Sequence, residues 1–201
     1  MVYQFKLTLI GIEPPVWRTL LLEPTMTMEE LHYVTQSAFQ WDADWDYEFS
    51  SGRRKILDPN VDSAEEDDEF ASDILVGQAF RKAGDKWLYA YDLEESNWQL
   101  EVVLEAIVEM NAATQYPMCT GGARACPPED IGGVANYLND LLILKNPKDP
   151  SFAEIRDYYG EFDPEAFDKD EVNAELHDPD NWVDEDEDDA PSGQNVPRGG
   201  R

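Results

Sequence analysis

The sequence predicts an α+β fold with a mixed or antiparallel sheet, a helix after the first hairpin, a helical C-terminal segment and a disordered acidic tail. Several short segments alternate apolar and polar residues, which is typical of half-buried strands. Other segments repeat apolar residues at intervals of three and four, which is typical of amphipathic helices. Strands with interspersed helices favour an α+β architecture.

The first two strands are predicted to form a hairpin. Residues 3–10 alternate, and one face of that strand carries Tyr3, Phe5, Leu7 and Leu9. Two prolines within residues 11–15 cannot donate ladder hydrogen bonds, so the first strand is expected to end there. The second strand is predicted at residues 16–22, and we expect it to pair with the first across a long loop.

The first helix is predicted to begin at Thr27. Glu30 follows three residues later, so each side chain can accept a hydrogen bond from the other residue's free backbone N–H in a capping box. The helix is expected to end near Gln40. Its apolar stripe consists of Leu31, Val34, Ala38 and Phe39.

The next part of the chain is predicted to contain a third strand, a loop and a short helix. Residues 41–51 are rich in aromatic residues that alternate, which indicates the strand. The acidic stretch 58–69 predicts an exposed loop. A short helix is expected within residues 72–80, with Gly84 as its left-handed terminator.

Two alternating segments, 87–91 and 98–108, are predicted to form a final hairpin. Residues 111–133 then read as a long loop rich in glycine and proline, and loops of that length inside a domain are usually functional or disordered. The two cysteines and three prolines of this loop favour order. Further helices are predicted at residues 134–144, 152–159 and 164–176.

The composition predicts one folded domain at residues 1–177 and a disordered acidic tail at residues 178–201. Hydrophobic residues make up 42% of the chain and aromatic residues 11%, which is enough to build a core. The end of the chain combines an acidic run with proline, glycine and serine, which is typical of disordered segments.

The charge balance restricts the classes of function. The chain has 44 acidic and 15 basic residues, a formal net charge of -29 at pH 7. Nucleic-acid binding depends on lysine and arginine neutralising phosphates, and the sequence has no basic stripe, so such binding is not expected. The acidity favours solubility, adaptation to salt, or attraction of a basic protein partner.

A cytoplasmic location is predicted. No apolar run approaches the about 18 residues of a membrane span. The N-terminus begins with a strand-like pattern rather than the basic and apolar regions of a secretory signal. Two cysteines are too few for a disulfide framework.

The long loop supplies the candidate binding residues, which are Cys119, Gly122, Arg124, Cys126, Glu129 and Asp130. The cysteines are seven positions apart, too far for the usual zinc knuckle, and we expect two buried thiols, with zinc binding or a redox role as alternatives. The arginine could bind an anion in a pocket, but an internal partner, Glu129 or Asp130, is favoured.

The leading functional hypothesis is a non-catalytic binding or accessory protein without a cofactor. Trp41 and Trp45 lie among aspartates, and an exposed tryptophan in an acidic rim would suit a cationic or protein partner. The alternative is a metal-dependent hydrolase, because carboxylates are the ligands that Mg²⁺ and Ca²⁺ prefer. The carboxylates considered for that metal site are Asp92, Glu94, Glu95, Glu129 and Asp130.

Residues 116–133, YPMCTGGARACPPEDIGG, resemble the signature of the plasmid pRiA4b ORF-3-like family. Three other parts agree with the pattern of that family: YQFK at 3–6 with PPVWR at 14–18, GD at 84–85 leading to YAYD at 89–92, and FDPEAFD at 162–168 with VN at 172–173. The resemblance spans about residues 3–176 and implies a small α+β domain of largely uncharacterised function, found in microbial chromosomes and on mobile elements.

The family also carries the label of a transposon passenger protein, TnpR, which suggests a resolvase. A serine resolvase would need an arginine cluster and a basic DNA-binding domain, and this chain has neither. The sequence also departs from the family pattern where relatives tend to carry histidines, since Trp45, Tyr47 and Leu100 occupy those positions. Any site that those histidines form in relatives is expected to be lost here.

Overall fold

The computed structural model describes residues 1–61, 65 and 68–178. Its strands are β1 Val2–Leu9, β2 Trp17–Leu22, β3 Tyr47–Ser51, β4 Arg54–Leu57, β5 Lys86–Tyr91, β6 Trp98–Val108 and β7 Met118–Ala123. Its helices are α1 Met28–Phe39, α2 Val76–Ala79, α3 Gly133–Leu144, α4 Phe152–Tyr159 and α5 Lys169–Leu176. Apart from Asp178, the predicted tail lies outside the described residues, so its disorder and the domain boundary stay predictions.

The seven strands form one sheet in the order β4-β3-β5-β6-β1-β2-β7. Every neighbouring pair is antiparallel, so the α+β prediction is confirmed and the sheet is antiparallel rather than mixed. The predicted hairpins β1–β2 and β5–β6 both form. Within the described residues, no helix has the length and apolar character needed to cross a membrane.

One face of the sheet forms the core and the other meets solvent. On the core side, alternate residues of β1 and β6, such as Phe5, Leu7 and Leu100, are fully buried. The opposite face carries cross-strand ion pairs, Lys55 with Glu48 and Lys86 with Glu101, each with 2.7 Å between the charged atoms. These pairs are exposed and stabilise the fold little.

Helix α1 packs on the core side and begins as predicted. The Thr27 hydroxyl accepts a hydrogen bond from the Glu30 backbone N–H, and the Glu30 carboxylate accepts one from the Thr27 N–H. Gln40 ends the helix in the left-handed conformation, with φ of 58°. The apolar stripe predicted for α1 is buried, including Leu31, Val34 and Phe39.

The sequence-based prediction was wrong about the edges of the sheet. Strand β3 begins at Tyr47 rather than at residue 41, and β4 was not predicted because its four residues show no clear alternation. Asp58, which was assigned to an exposed loop, is buried. The long predicted loop 111–133 contains β7, whose sequence MCTGGA lacks the β-branched residues that usually indicate a strand.

Two predicted helices are shorter than expected. Helix α2 has only four residues and ends at Ala79, so Gly84 lies beyond its end and does not terminate it. Helix α5 begins at Lys169 rather than residue 164, because the Asp168 side chain caps it by accepting hydrogen bonds from the N–H groups of Asp170 and Glu171. The predictions for α3 and α4 are confirmed.

Helix α5 protects β7 at the edge of the sheet. The Asn173 side chain accepts a hydrogen bond from the Cys119 backbone N–H at 2.8 Å and donates one to the Cys119 carbonyl at 3.0 Å. The amide therefore takes the place of a further strand at this position. Covering an edge in this way prevents pairing with other chains.

We expect Asn173→Ala to lower the free energy of unfolding by about 2 kcal/mol, because two partly buried hydrogen bonds to Cys119 are lost. Urea unfolding would measure the loss, and amide exchange at Cys119 would speed up locally. Lys169→Ala on the same helix is the matched control, with an exposed side chain. Equal effects of the two substitutions would contradict the edge-protecting role.

Candidate functional site

The structure turns most of the predicted binding loop toward the interior. Cys119, Arg124 and Cys126 are buried, and Gly122 and Glu129 are partly buried. Asp130 alone among the six candidate residues is exposed. The six residues divide into two groups, one around a buried arginine of β2 and one at the end of the sheet near Tyr91. The loop as a binding site stays a prediction.

Arg18 of β2 organises the first group. Its guanidinium, 1% exposed, donates hydrogen bonds to backbone carbonyls at 2.9–3.2 Å. The carbonyls belong to Trp17, Ala38, Ala123 and Arg124. A further N–H donates to the Cys126 sulfur at 3.1 Å, and the Phe167 ring lies 4.6 Å from the guanidinium carbon. Sequence reasoning missed the role of Arg18, because its acceptors are mostly backbone carbonyls and no pattern of side chains indicates them.

Both cysteines are free thiols, as the buried-thiol prediction expected. Burial raises the pKa of the Cys126 thiol to about 12, although the neighbouring Arg18 acts in the opposite direction. Burial also raises the pKa of Cys119, whose thiol donates to the Gly121 carbonyl. Because the thiolate is the nucleophile and the metal ligand, the raised pKa values lower the reactivity of both side chains at neutral pH.

Arg124 has an internal partner, but not the one predicted. It forms an ion pair with Glu165 at 2.9 Å and donates to the Pro14 carbonyl at 2.6 Å. The prediction of Glu129 or Asp130 was wrong because it relied on nearness in sequence, whereas Glu165 lies 41 residues further along the chain. The interaction ties the loop to the segment before α5.

Gly122 is a packing position. A Cβ atom there would come within 2.5 Å of the Phe167 ring and 2.9 Å of the Arg18 Cδ atom. Any side chain would therefore displace the ring that covers the guanidinium. The glycine permits this close approach.

Glu129 belongs to the second group. One carboxylate oxygen accepts a hydrogen bond from the Tyr91 hydroxyl, and the other accepts one from the Asp42 backbone N–H at 2.7 Å. Burial raises the pKa of Glu129, and the charges of Asp42 and Asp130 act in the same direction, against the two hydrogen bonds. The glutamate joins the loop after α1 to the end of β5.

A buried polar cluster lies between α1 and the sheet. Tyr89 accepts a hydrogen bond from Gln36 at 2.6 Å, and its hydroxyl is 2.8 Å from His32 Nδ1. The His32 ring stacks on Tyr47 with 3.8 Å between centroids. Within the described residues, the Tyr47 hydroxyl and Gln36 Oε1 have no hydrogen-bond partner. Burial lowers the pKa of His32 to about 3, so its imidazole is neutral at pH 7.

Two of the positions that carry histidines in the family pattern, Tyr47 and Leu100, are buried beside Tyr89, whereas the third, Trp45, is exposed. Tyr47 belongs to the buried polar cluster, Leu100 is buried in the core, and Trp45 is 47% exposed. Sequence reasoning found no role for His32, which is buried in α1 although it lies outside the predicted apolar stripe.

Two of the five carboxylates proposed for a metal site, Asp92 and Glu129, hold backbone or side-chain groups of the fold instead. Asp92 is buried and accepts hydrogen bonds from the backbone N–H groups of Glu95 and Ser96, which fixes the turn between β5 and β6. Among the residues that the structure describes, no group of three His, Cys, Asp or Glu side chains could hold a metal ion. The described residues therefore give the metal-dependent hydrolase no support.

Three loops meet at one end of the sheet, and we call this surface the acidic end. The Asp92 N–H donates to the Asp46 carbonyl at 3.0 Å, which joins residues 41–46 to residues 92–97. Residues 127–132 join them through Glu129. None of the three loops contains lysine or arginine. Their exposed carboxylates are Asp42, Asp44, Asp46, Glu94, Glu95 and Asp130.

An open cleft of about 340 Å³ lies away from the acidic end. Tyr116, Pro117, Met26 and Glu23 contribute to its lining, and His177 Nε2 lies 2.9 Å from the Pro117 carbonyl. None of the six candidate residues lines this cleft. The cleft therefore does not support a ligand site at the six candidate residues.

We expect Arg18→Met to lower the free energy of unfolding by about 3 kcal/mol, because buried carbonyls lose their donor. Arg18→Lys should recover only part of this loss, since one ammonium cannot reach the same acceptors. Urea titration at pH 7 would measure both, with the exposed Arg53→Met as control. A loss no greater than that of the control would show that the carbonyl cage does not stabilise the fold.

We expect His32 to make the fold less stable in acid. The unfolded imidazole has a pKa near 6.5 and the folded one near 3, so its stabilising contribution is present above pH 6.5 and is lost as pH falls toward 3. At pH 5 the loss is about 2 kcal/mol relative to pH 7. Urea unfolding of the wild type and of His32→Phe at pH 5 and pH 7 would isolate the contribution of His32, since the phenylalanine ring of the variant cannot titrate. Parallel pH profiles would contradict the neutral buried state.

Comparison with known proteins shows the family of the chain and supports its fold. The family described as plasmid pRiA4b ORF-3-like protein matches residues 1–171. An uncharacterised protein of Sinorhizobium fredii, y4hQ, is 28% identical over 182 residues, covering 88% of this chain and 91% of that protein. The crystal structure of a protein of unknown function from Methanosarcina mazei, MM3350, has a TM-score of 0.75 and 32% identity, covering 85% of this chain and 97% of that one. The chain belongs to the plasmid pRiA4b ORF-3-like family.

Proposed function

We propose that the protein is a non-catalytic binding or accessory protein that recognises a basic segment of a protein partner at the acidic end. The observation that carries this proposal is the exposure of Trp45, at 47%, on a surface with six exposed carboxylates and no base in its three loops. Opposite charges steer association and set specificity. Tryptophan is enriched, with tyrosine and arginine, among the residues that carry most of the binding energy at interfaces.

Trp45 suits a cationic group for a second reason. The face of an indole ring attracts ammonium and guanidinium groups, and the neighbouring Asp44 and Asp46 add charge-assisted hydrogen bonds to the same groups. The loop is also anchored, because the Tyr91 hydroxyl interacts with the Trp45 backbone and with Glu129. A fixed backbone lowers the entropy that binding would otherwise lose.

The same surface argues against a nucleic-acid ligand. Phosphates require lysine or arginine, and Arg124, three residues before the third loop, is buried and paired with Glu165. A basic protein segment is the complementary ligand. We therefore propose a protein partner rather than DNA or RNA.

The test measures binding of a fluorescent peptide of alternating lysine, arginine and glycine by anisotropy. We expect binding that weakens as NaCl is raised, since exposed charges are screened. Trp45→Ala should weaken it about tenfold, which corresponds to about 1.4 kcal/mol and the upper range of a cation–π contact. Asp44→Asn with Asp46→Asn should weaken it further.

The matched control removes the same charge elsewhere. Glu105→Gln with Glu109→Gln neutralises two exposed carboxylates of β6 and the residue after it, away from the acidic end. We expect this pair to change binding much less than the Asp44 and Asp46 pair. Equal losses of peptide affinity in the two double variants would overturn the proposal, and so would an unchanged affinity in Trp45→Ala. Either result would mean that the peptide is attracted only by the net charge of -29 of the chain.

A further inference from the structure

Helix α3 presents an outward face without charge. The exposed residues of this helix are Ala135, Asn136, Asn139 and Leu142, and the Leu142 side chain is 67% exposed. Ile143 lies beside Leu142 and is only partly buried. None of these four exposed residues is charged, although 29% of the residues of the chain are.

The opposite side of α3 already has its partners. Tyr137 is fully buried, and Val134, Leu138, Leu141 and Leu144 pack against the core. Asp140, the one charged residue of the helix, accepts a hydrogen bond from the Tyr159 hydroxyl of α4 at 3.3 Å. Packing within the described chain therefore accounts for the inner face and leaves Leu142 and its neighbours uncovered.

The segment that forms α3 and α4 is itself almost neutral. Residues 133–160 contain four acidic and three basic residues, a formal charge of -1, whereas the whole chain carries -29. The acidic residues are Asp140, Asp149, Glu154 and Asp157, and the basic residues are Lys145, Lys148 and Arg156. Apolar exposure and low charge thus coincide in the α3–α4 hairpin.

We propose that this outward face of α3 binds the same face of a second copy of the chain. Two chains of charge -29 repel each other across most of their surfaces, and an uncharged face is where that repulsion is weakest. Asparagine amides both donate and accept hydrogen bonds, so Asn136 and Asn139 can pair with their own counterparts across a two-fold axis. Leu142 and Ile143 then supply the apolar area.

Other occupants fit this face less well. A basic segment finds no carboxylate on it, since its exposed residues carry no charge. The small side chains of Ala135 and Asn139 instead allow two helices to approach closely. Self-association therefore uses a different surface from the acidic end.

Sedimentation velocity of the full chain in a reducing buffer tests the proposal. We expect a monomer–dimer equilibrium whose dimer fraction rises with protein concentration. Raising NaCl should increase that fraction, because salt screens the repulsion between two acidic chains. This is opposite to the salt response expected for the basic peptide, so the two proposals can fail independently.

A charged substitution and its control locate the interface. Leu142→Glu should abolish the dimer while leaving the circular dichroism spectrum unchanged, since the side chain is exposed. Leu93→Glu adds the same charge at an exposed leucine of the acidic end and should leave the dimer intact. A wild-type chain that stays monomeric at every concentration and salt level overturns the proposal, as does a dimer that persists in Leu142→Glu.

Discussion

The structure depends on one buried cation, the Arg18 guanidinium. Moving a guanidinium out of water costs several kcal/mol unless its N–H groups find acceptors, and no ion pair supplies them among the described residues. Backbone carbonyls from the end of α1, from β2 and from the end of β7 do so instead. These segments are far apart in the chain, so the arginine fixes where they meet, and Phe167 closes the site from the segment before α5.

This arrangement explains why the cysteine-containing loop faces inward. Its carbonyls and the Cys126 sulfur are needed as acceptors for Arg18, Gly122 must leave space for Phe167, and Arg124 is used to hold Glu165. The same residues that resemble a binding loop in sequence thus stabilise the junction of the sheet with α5. Side chains that are available to a ligand lie instead on the loops at the rim of the sheet, where they do not pack in the core.

Two surfaces of the rim have contrasting character. The acidic end combines carboxylates with the exposed Trp45, whereas the outward face of α3 is uncharged and carries the exposed Leu142. Beneath α1, a third region buries polar side chains, and among the described residues the Tyr47 hydroxyl and Gln36 Oε1 have no hydrogen-bond partner. Buried polar groups restrict a core to one arrangement when their hydrogen bonds are satisfied.

The sequence by itself determined the elements whose patterns are local. The alternation in β1, β5 and β6 and the capping box of α1 depend on residues a few positions apart, and these predictions are confirmed. Tertiary structure decided what depends on distant residues. Strand β7 exists because β2 and Asn173 bind its backbone, and Arg124 finds Glu165 rather than a neighbour in sequence. Likewise, only packing distinguishes buried Trp41 from exposed Trp45, because both lie in the same acidic context.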